Sequence, residues 1–300
     1  MIKQVVEISS DDFILSLFRG FLCITDKQKD QKYKVPLDSI LCLIISAHNT
    51  VISKNITNAL CENQACIIFC DNKYIPNAIT IPVAGHWLTA SRIRTQIFSS
   101  EPLRKNLWKK IVQYKIENQC KLMSLIKPES IQIPRMEMLL KTVKSDDAQN
   151  NEGLAAHIYF SELFGNKFVR NRDANDINLF LNYAYTVLRA MVARSVCANG
   201  LLPYLGLKHC QQSNTMPLVD DLIEPFRPIA DKVVIETFES CSETKELTPE
   251  IKRNLTSLTN VSVGTPKGKL PLSEAINDFV LSLVKSYENK KVLLKCPKLF

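Results

Sequence analysis

Ile81-Pro82-Val83-Ala84-Gly85 divides this chain into two stretches of different periodicity. Proline and glycine punctuate it as a linker, and the patterns on either side disagree. Upstream, Phe13 to Ile24 is a run of β-formers broken by Gly20, as in a strand pair. Gln31 to Leu37 alternates polar and apolar residues, Ile40 to Ser46 reads as a buried strand, and Ala65 to Cys70 reads as another. Ser53 to Cys61 suits a short helix between them, and Asp71-Asn72-Lys73 suits a turn. Downstream, the spacing becomes helical. Ser91 to Met123 carries Ile93, Ile97, Leu103, Leu107, Ile111 and Ile116, with an interruption near Pro102. Asn151 to Leu163 and Thr215 to Glu224 read as helices, the second bent or ended by Pro225 and Pro228. Asp176 to Cys197 reads as a buried central helix stopped by Asn199-Gly200. A last helix covers Ser273 to Tyr287, with Ser273 as its cap and a basic tail after it. The expected fold is α+β: a small β-rich domain over residues 1–80, a linker over 81–86, and a larger all-α domain over 87–300.

Composition narrows the chemistry. The 300 residues are 46% hydrophobic, enough for a substantial core. Glycine is scarce, at 8 residues, and neither G-x-G-x-x-G nor G-x-x-x-x-G-K-[ST] occurs, so ATP and dinucleotide chemistry have no support. The longest apolar stretch, about Ile40 to Ala47, is far short of the roughly 20 residues a membrane span needs. The first residues lack a signal-peptide apolar region, so a cytoplasmic location is expected. Ten cysteines occur without a C-x-x-C pair; Cys61, Cys66 and Cys70 read better as buried reduced thiols than as a zinc site. The net charge of +8 falls wholly after residue 80, because residues 1–80 hold eight basic and eight acidic side chains. A basic second part favours a polyanionic substrate. Arg92, Arg94, Arg104, Lys105, Lys109, Lys110 and Lys115 read either as a solvated helix face or as a face that tracks phosphates.

Three segments of the basic part carry candidate ligands. They are Asn151-Glu152-Gly153, Leu205-Gly206-Leu207-Lys208-His209 and Asp220-Asp221-Leu222-Ile223-Glu224-Pro225. Two glutamates and a neutral histidine form an O/N set that suits Mg²⁺ or Mn²⁺ with open positions. Such a centre polarises phosphodiesters, which points to phosphoryl transfer. Taken singly, each residue also has a structural reading: a helix N-terminal carboxylate, a loop histidine and a surface acid. Spacings of three and four place Asp221 and Asp220 on the face of Glu224.

The ordered set Asn151 to Phe160, Leu181 to Ala190, Gly200 to Gly206 and Asp220 to Pro228, with Gly85-His86-Trp87, resembles the CRISPR-associated protein one family, and most of all its type II branch. The resemblance implies a spacer-acquisition integrase that inserts foreign DNA fragments into a CRISPR array, with endonuclease activity from the same site. It implies a divalent metal, Mg²⁺ or Mn²⁺, on Glu152, His209 and Glu224, with Asp221 as a supporting acid. It implies DNA as substrate, a homodimer formed through the β-domain, and CRISPR-associated protein two as partner. Other type II adaptation proteins and the RNA-guided effector nuclease are further candidate partners. Arg92, Arg94, Lys105 and Lys109 are the candidates for gripping DNA phosphates. Lys208 stands where the type II branch often has His, and Ala184 where Gly is common, so His209 is the ligand expected there. A nuclease of branched or single-stranded DNA and a non-catalytic DNA-binding scaffold are the alternative readings.

Overall fold

A computed structural model describes residues 4–29, 31–71, 76–80, 87–171, 174, 176–209, 214–241 and 246–299. The N-terminal part packs two four-stranded sheets. One has the order β1 (Gln4–Ile8), β5 (Ile40–Ile45), β7 (Cys66–Cys70), β8 (Pro76–Thr80), parallel except for β8. The other has the order β4 (Lys32–Pro36), β3 (Phe21–Asp26), β2 (Phe13–Phe18), β6 (Thr50–Ile52). The β2–β3 hairpin turns at Arg19-Gly20, where both residues have positive φ, so the glycine that breaks the apolar run is the turn itself. Helix α1 (Lys54–Glu62) is capped by Ser53, whose side chain accepts from the Ile56 amide.

Every residue of β5 is buried, as a central parallel strand with both faces covered requires. Ile40, Leu43 and Ile45 pack with Leu15, Leu22 and Ile56 between the two sheets. Leu41, Cys42 and Ile44 join the much larger core of the helical part. The β-rich part is therefore welded to the helices and does not hang from them. At this seam Glu7 accepts from Ser46 (2.6 Å) and Tyr183 (2.8 Å) and pairs with Lys252 (3.0 Å).

The helical part comprises α2 (Thr89–Ile97), α3 (Glu101–Ile126), α4 (Ile133–Thr142), α5 (Asn151–Phe164), α6 (Ile177–Ala198), α7 (Pro217–Ile223), α8 (Arg227–Ser240), α9 (Pro249–Thr256) and α10 (Leu272–Glu288). A hairpin of β9 (Ser262–Thr265) and β10 (Gly268–Pro271) precedes α10, which corrects the expectation of an all-α second part. The expected interruption near Pro102 is real: α2 ends at Ile97, and Pro102 sits in the first turn of α3, where its missing N–H costs nothing. Pro225 and Pro228 likewise occupy first turns, of a 3₁₀ turn over Glu224–Phe226 and of α8, so the chain bends at Glu224 and continues. Ser273 is not a cap, since α10 begins one residue earlier with no side-chain cap bond. Helix α6 runs as expected, capped by Asp176 and closed by Asn199 and Gly200, whose φ is +71°. The 81–86 linker lies outside the described residues. Among the described residues, no helix is long and apolar enough to cross a membrane.

Candidate active site

Glu152 lies in the first turn of α5. The helix is opened by Asp147, whose carboxylate accepts from the amides of Asn151 (2.9 Å) and Glu152 (3.0 Å). That anchoring leaves the Glu152 side chain directed at the middle of α3, where Lys115 donates to its Oε1. Glu224 opens the bend between α7 and α8, and its Oε2 accepts from the same Lys115 Nζ at 2.5 Å. Its other oxygen lies 3.0 Å from Arg227 Nε. Two carboxylates from distant segments thus converge on one ammonium.

The charges sustain one another. Burial works against the Lys115 ammonium, but Glu224 and then Glu152 outweigh it, so its pKa is raised and the charge stays. Burial also opposes an ionised Glu224, yet Arg227 and Lys115 hold its pKa below the usual carboxylate range. Lys115 has a side chain only 8% exposed, so this is an interior cluster and not a surface salt bridge.

His209 is held differently. Asp221 is wholly buried, and its Oδ2 accepts from the amides of Leu207 (2.6 Å) and Lys208 (3.0 Å). Its Oδ1 lies 2.5 Å from His209 Nδ1. A carboxylate oxygen accepts here, so Nδ1 carries the proton, and in the neutral ring Nε2 keeps the lone pair. The hydrogen bond to Asp221 raises the His209 pKa above the ordinary histidine value. Trp108 meets the imidazole edge-on at 5.7 Å, which further fixes the ring. A Cβ at Gly206 would stand 2.5 Å from the His209 carbonyl and 3.0 Å from Asp221, so only glycine lets this loop wrap the carboxylate.

Asp220, Asp221 and Glu224 do not share a target, contrary to the spacing expectation. Asp220 pairs with Arg189 (2.7 Å), Asp221 orients His209, and Glu224 faces Lys115. The three acids sit within one stretch of helix and 3₁₀ turn, yet each is taken by a partner from a different segment.

The donor set suits a hard divalent cation. The two carboxylates already share one cationic centre, and the histidine has its second nitrogen available. Among the described residues, however, no three His, Cys, Asp or Glu side chains come close enough together to hold a metal ion. The Lys115 ammonium lies where the carboxylates meet.

The basic residues divide. Arg94 is exposed, Lys109 is half-buried, and Lys105 pairs with Glu101 at 2.7 Å on the surface. Arg92 is buried: it donates to the Asn199 carbonyl (2.9 Å) and lies 3.4 Å from Glu288, which corrects its placement on an exposed phosphate-gripping face. Lys115 is likewise inside. A sequence signal for this existed, because Ile111, Val112, Asn118 and Gln119 surround it at helical spacing without a charge.

Comparison with known proteins places the chain. The family profile described as CRISPR associated protein Cas1 matches residues 6–252. The CRISPR-associated endonuclease Cas1 of Neisseria meningitidis serogroup C is 37% identical over 289 residues, covering 95% of this chain and 93% of that one. Among solved structures, a casposase bound to integration product superposes with a TM-score of 0.78 at 22% identity, covering 98% of this chain and 92% of the casposase. A Cas6-RT-Cas1–Cas2 complex gives a TM-score of 0.78 at 15% identity over 99% of this chain and 36% of that one. With the fold, the ordered motifs and this match over most of its length in agreement, the chain belongs to the Cas1 family.

Proposed function

We propose that this protein is a divalent-metal-dependent integrase and endonuclease of CRISPR adaptation, joining foreign DNA fragments to a CRISPR array by transesterification. The observation that carries the reading is the convergence of Glu152 and Glu224 on one cationic centre; His209, oriented by Asp221, is near enough to Glu224 to act on its charge. Glu152, Glu224 and His209 Nε2 would hold Mg²⁺ or Mn²⁺. When bound, such an ion polarises a phosphodiester and stabilises charge on its oxygens. Asp221 keeps the imidazole in the tautomer that presents Nε2, and Asp147 holds the Glu152 backbone in register. The 3′-hydroxyl of the fragment attacks phosphorus and loses its proton; one P–O bond forms as the bond to the target strand's 3′-oxygen breaks. Water in place of the hydroxyl gives hydrolysis, in keeping with the endonuclease names of the curated relatives.

Two ends require two joinings, so the working unit carries two such sites. A homodimer through the outer β2–β3–β4–β6 sheet supplies them, supported by Leu17, Phe18, Phe21, Tyr33 and Val51, which that sheet leaves exposed. DNA and a Cas2 partner are supported by the neighbouring structures, one holding an integration product and another containing Cas2. The test pairs the purified protein and its Cas2 with a duplex bearing 3′-hydroxyls, a plasmid carrying a CRISPR repeat, and Mn²⁺. Joined strands that vanish with Glu224→Ala support the reading; joining that persists in the variant removes Glu224 from the chemistry.

A further inference from the structure

The site described above is electrically complete without a metal. The Glu152 and Glu224 carboxylates sum to two negative charges, and Lys115 and Arg227 supply two positive ones within ion-pair distance. The Lys115 side chain comes from mid-α3 and is 8% exposed, and among the described residues its ion pairs are with these two glutamates. Among the described residues no neutral donor binds either glutamate side chain, Glu152 being 30% exposed and Glu224 buried, whereas the buried Asp147, Asp221 and Asp231 have hydroxyl or amide donors. A divalent ion arriving between the same oxygens would meet the ammonium already there, with strong repulsion in a poorly screened interior.

We propose that Lys115 is the built-in counter-ion of this site: it holds the two carboxylates together in the metal-free protein, competes with the divalent ion for them, and is displaced when the ion binds. This rests on the metal reading of Glu152 and Glu224. Displacement would free an ammonium to serve as the cation that an attacked phosphate or a departing oxygen needs. Lys115 is thereby a positioning residue before metal entry.

The test is calorimetric titration of the metal-free full chain with Mn²⁺ alone. Lys115→Met removes the competitor and binds Mn²⁺ roughly tenfold more tightly than the wild type. Glu224→Gln and Glu152→Gln bind it more weakly. A structural lysine gives unchanged or weaker affinity in Lys115→Met, and that result overturns the proposal. Equal affinity in wild type, Glu152→Gln and Glu224→Gln instead removes the metal reading on which it stands. Lys115→Met leaves two carboxylates facing one another, so folding is measured as well. If that variant fails to fold, the double variant Lys115→Met with Glu152→Gln recovers folding, because one negative charge then faces Arg227. Failure of the double variant to recover identifies Lys115 as a packing residue and rejects the counter-ion role.

Discussion

Among the described residues, lysine–carboxylate pairs are buried in two places, and they are satisfied in opposite ways. At the seam between sheet and helices, Glu7 takes one ammonium, from Lys252, together with the neutral hydroxyls of Ser46 and Tyr183. At the candidate active site, Glu152 and Glu224 take only cations, Lys115 and Arg227, among the described residues. Neutral donors fix a carboxylate, since replacing them forfeits hydrogen bonds in the interior. Cations are exchangeable for another cation. The first cluster is a latch and the second an ion-exchange site, although the residue types are the same. Asp221 and Asp231 fall with Glu7: backbone amides hold the first, and the hydroxyls of Tyr159 (2.7 Å) and Tyr185 (2.5 Å) hold the second.

The largest effect separates the two clusters by activity. Glu152→Ala, His209→Ala and Glu224→Ala should each lower strand joining by several powers of ten, while Glu7→Gln leaves the rate per folded molecule unchanged. A comparable loss in Glu7→Gln would erase the distinction. Stability gives the converse result. Glu7→Ala should lose about 3–5 kcal/mol in urea unfolding, because a buried ammonium and two hydroxyls lose their shared acceptor. A loss under about 1 kcal/mol would show that the seam is held by apolar packing alone.

Asp231 sharpens the comparison through pH. Burial raises its pKa from 3.8 to about 6, against the opposing hydrogen bonds of the two tyrosines. The native state therefore binds more proton than the unfolded chain between those values. The group's contribution is fully present below pH 3.8 and is lost as pH rises through about 6. The swing is about 3 kcal/mol by linkage. Measured against Asp231→Asn by denaturant unfolding, the wild type should lose ground steadily from pH 3.8 to about 6 and level off above that. A difference independent of pH would mean that Asp231 is ionised throughout. The smallest effect concerns DNA: neutralising Arg94, Lys105 or Lys109 should reduce the salt slope of binding by about one for each phosphate that the side chain had neutralised. Arg92→Gln should instead lower thermal stability with the slope unaltered, since its guanidinium already serves the Asn199 carbonyl.

The fold was legible wherever a segment's burial is uniform. The unbroken apolar run of β5 needs both faces covered, and α6 announces its ends with Asp176 and Asn199-Gly200. Short or weakly patterned elements escaped: β1, β6, β8 and the β9–β10 hairpin are three to five residues long and owe their state to pairing. Glu152, His209 and Glu224 were legible as ligand types in ordered motifs. The burial of Lys115 had a signal in its uncharged neighbours, but its role did not, because its partners lie 37 and 109 residues away and helical spacing cannot see them. Helix α3 is buried on several faces, so a lysine or arginine in it does not mark the solvent side. The same failure misplaced Arg92.

Anomalous diffraction from crystals of the protein soaked in Mn²⁺ tests the ion-exchange reading most directly. We expect one manganese peak touching Glu152, Glu224 and His209 Nε2, with the Lys115 ammonium moved out from between the carboxylates. Saturating Mn²⁺ that leaves Lys115 bridging Glu152 and Glu224, with no peak between them, would contradict it.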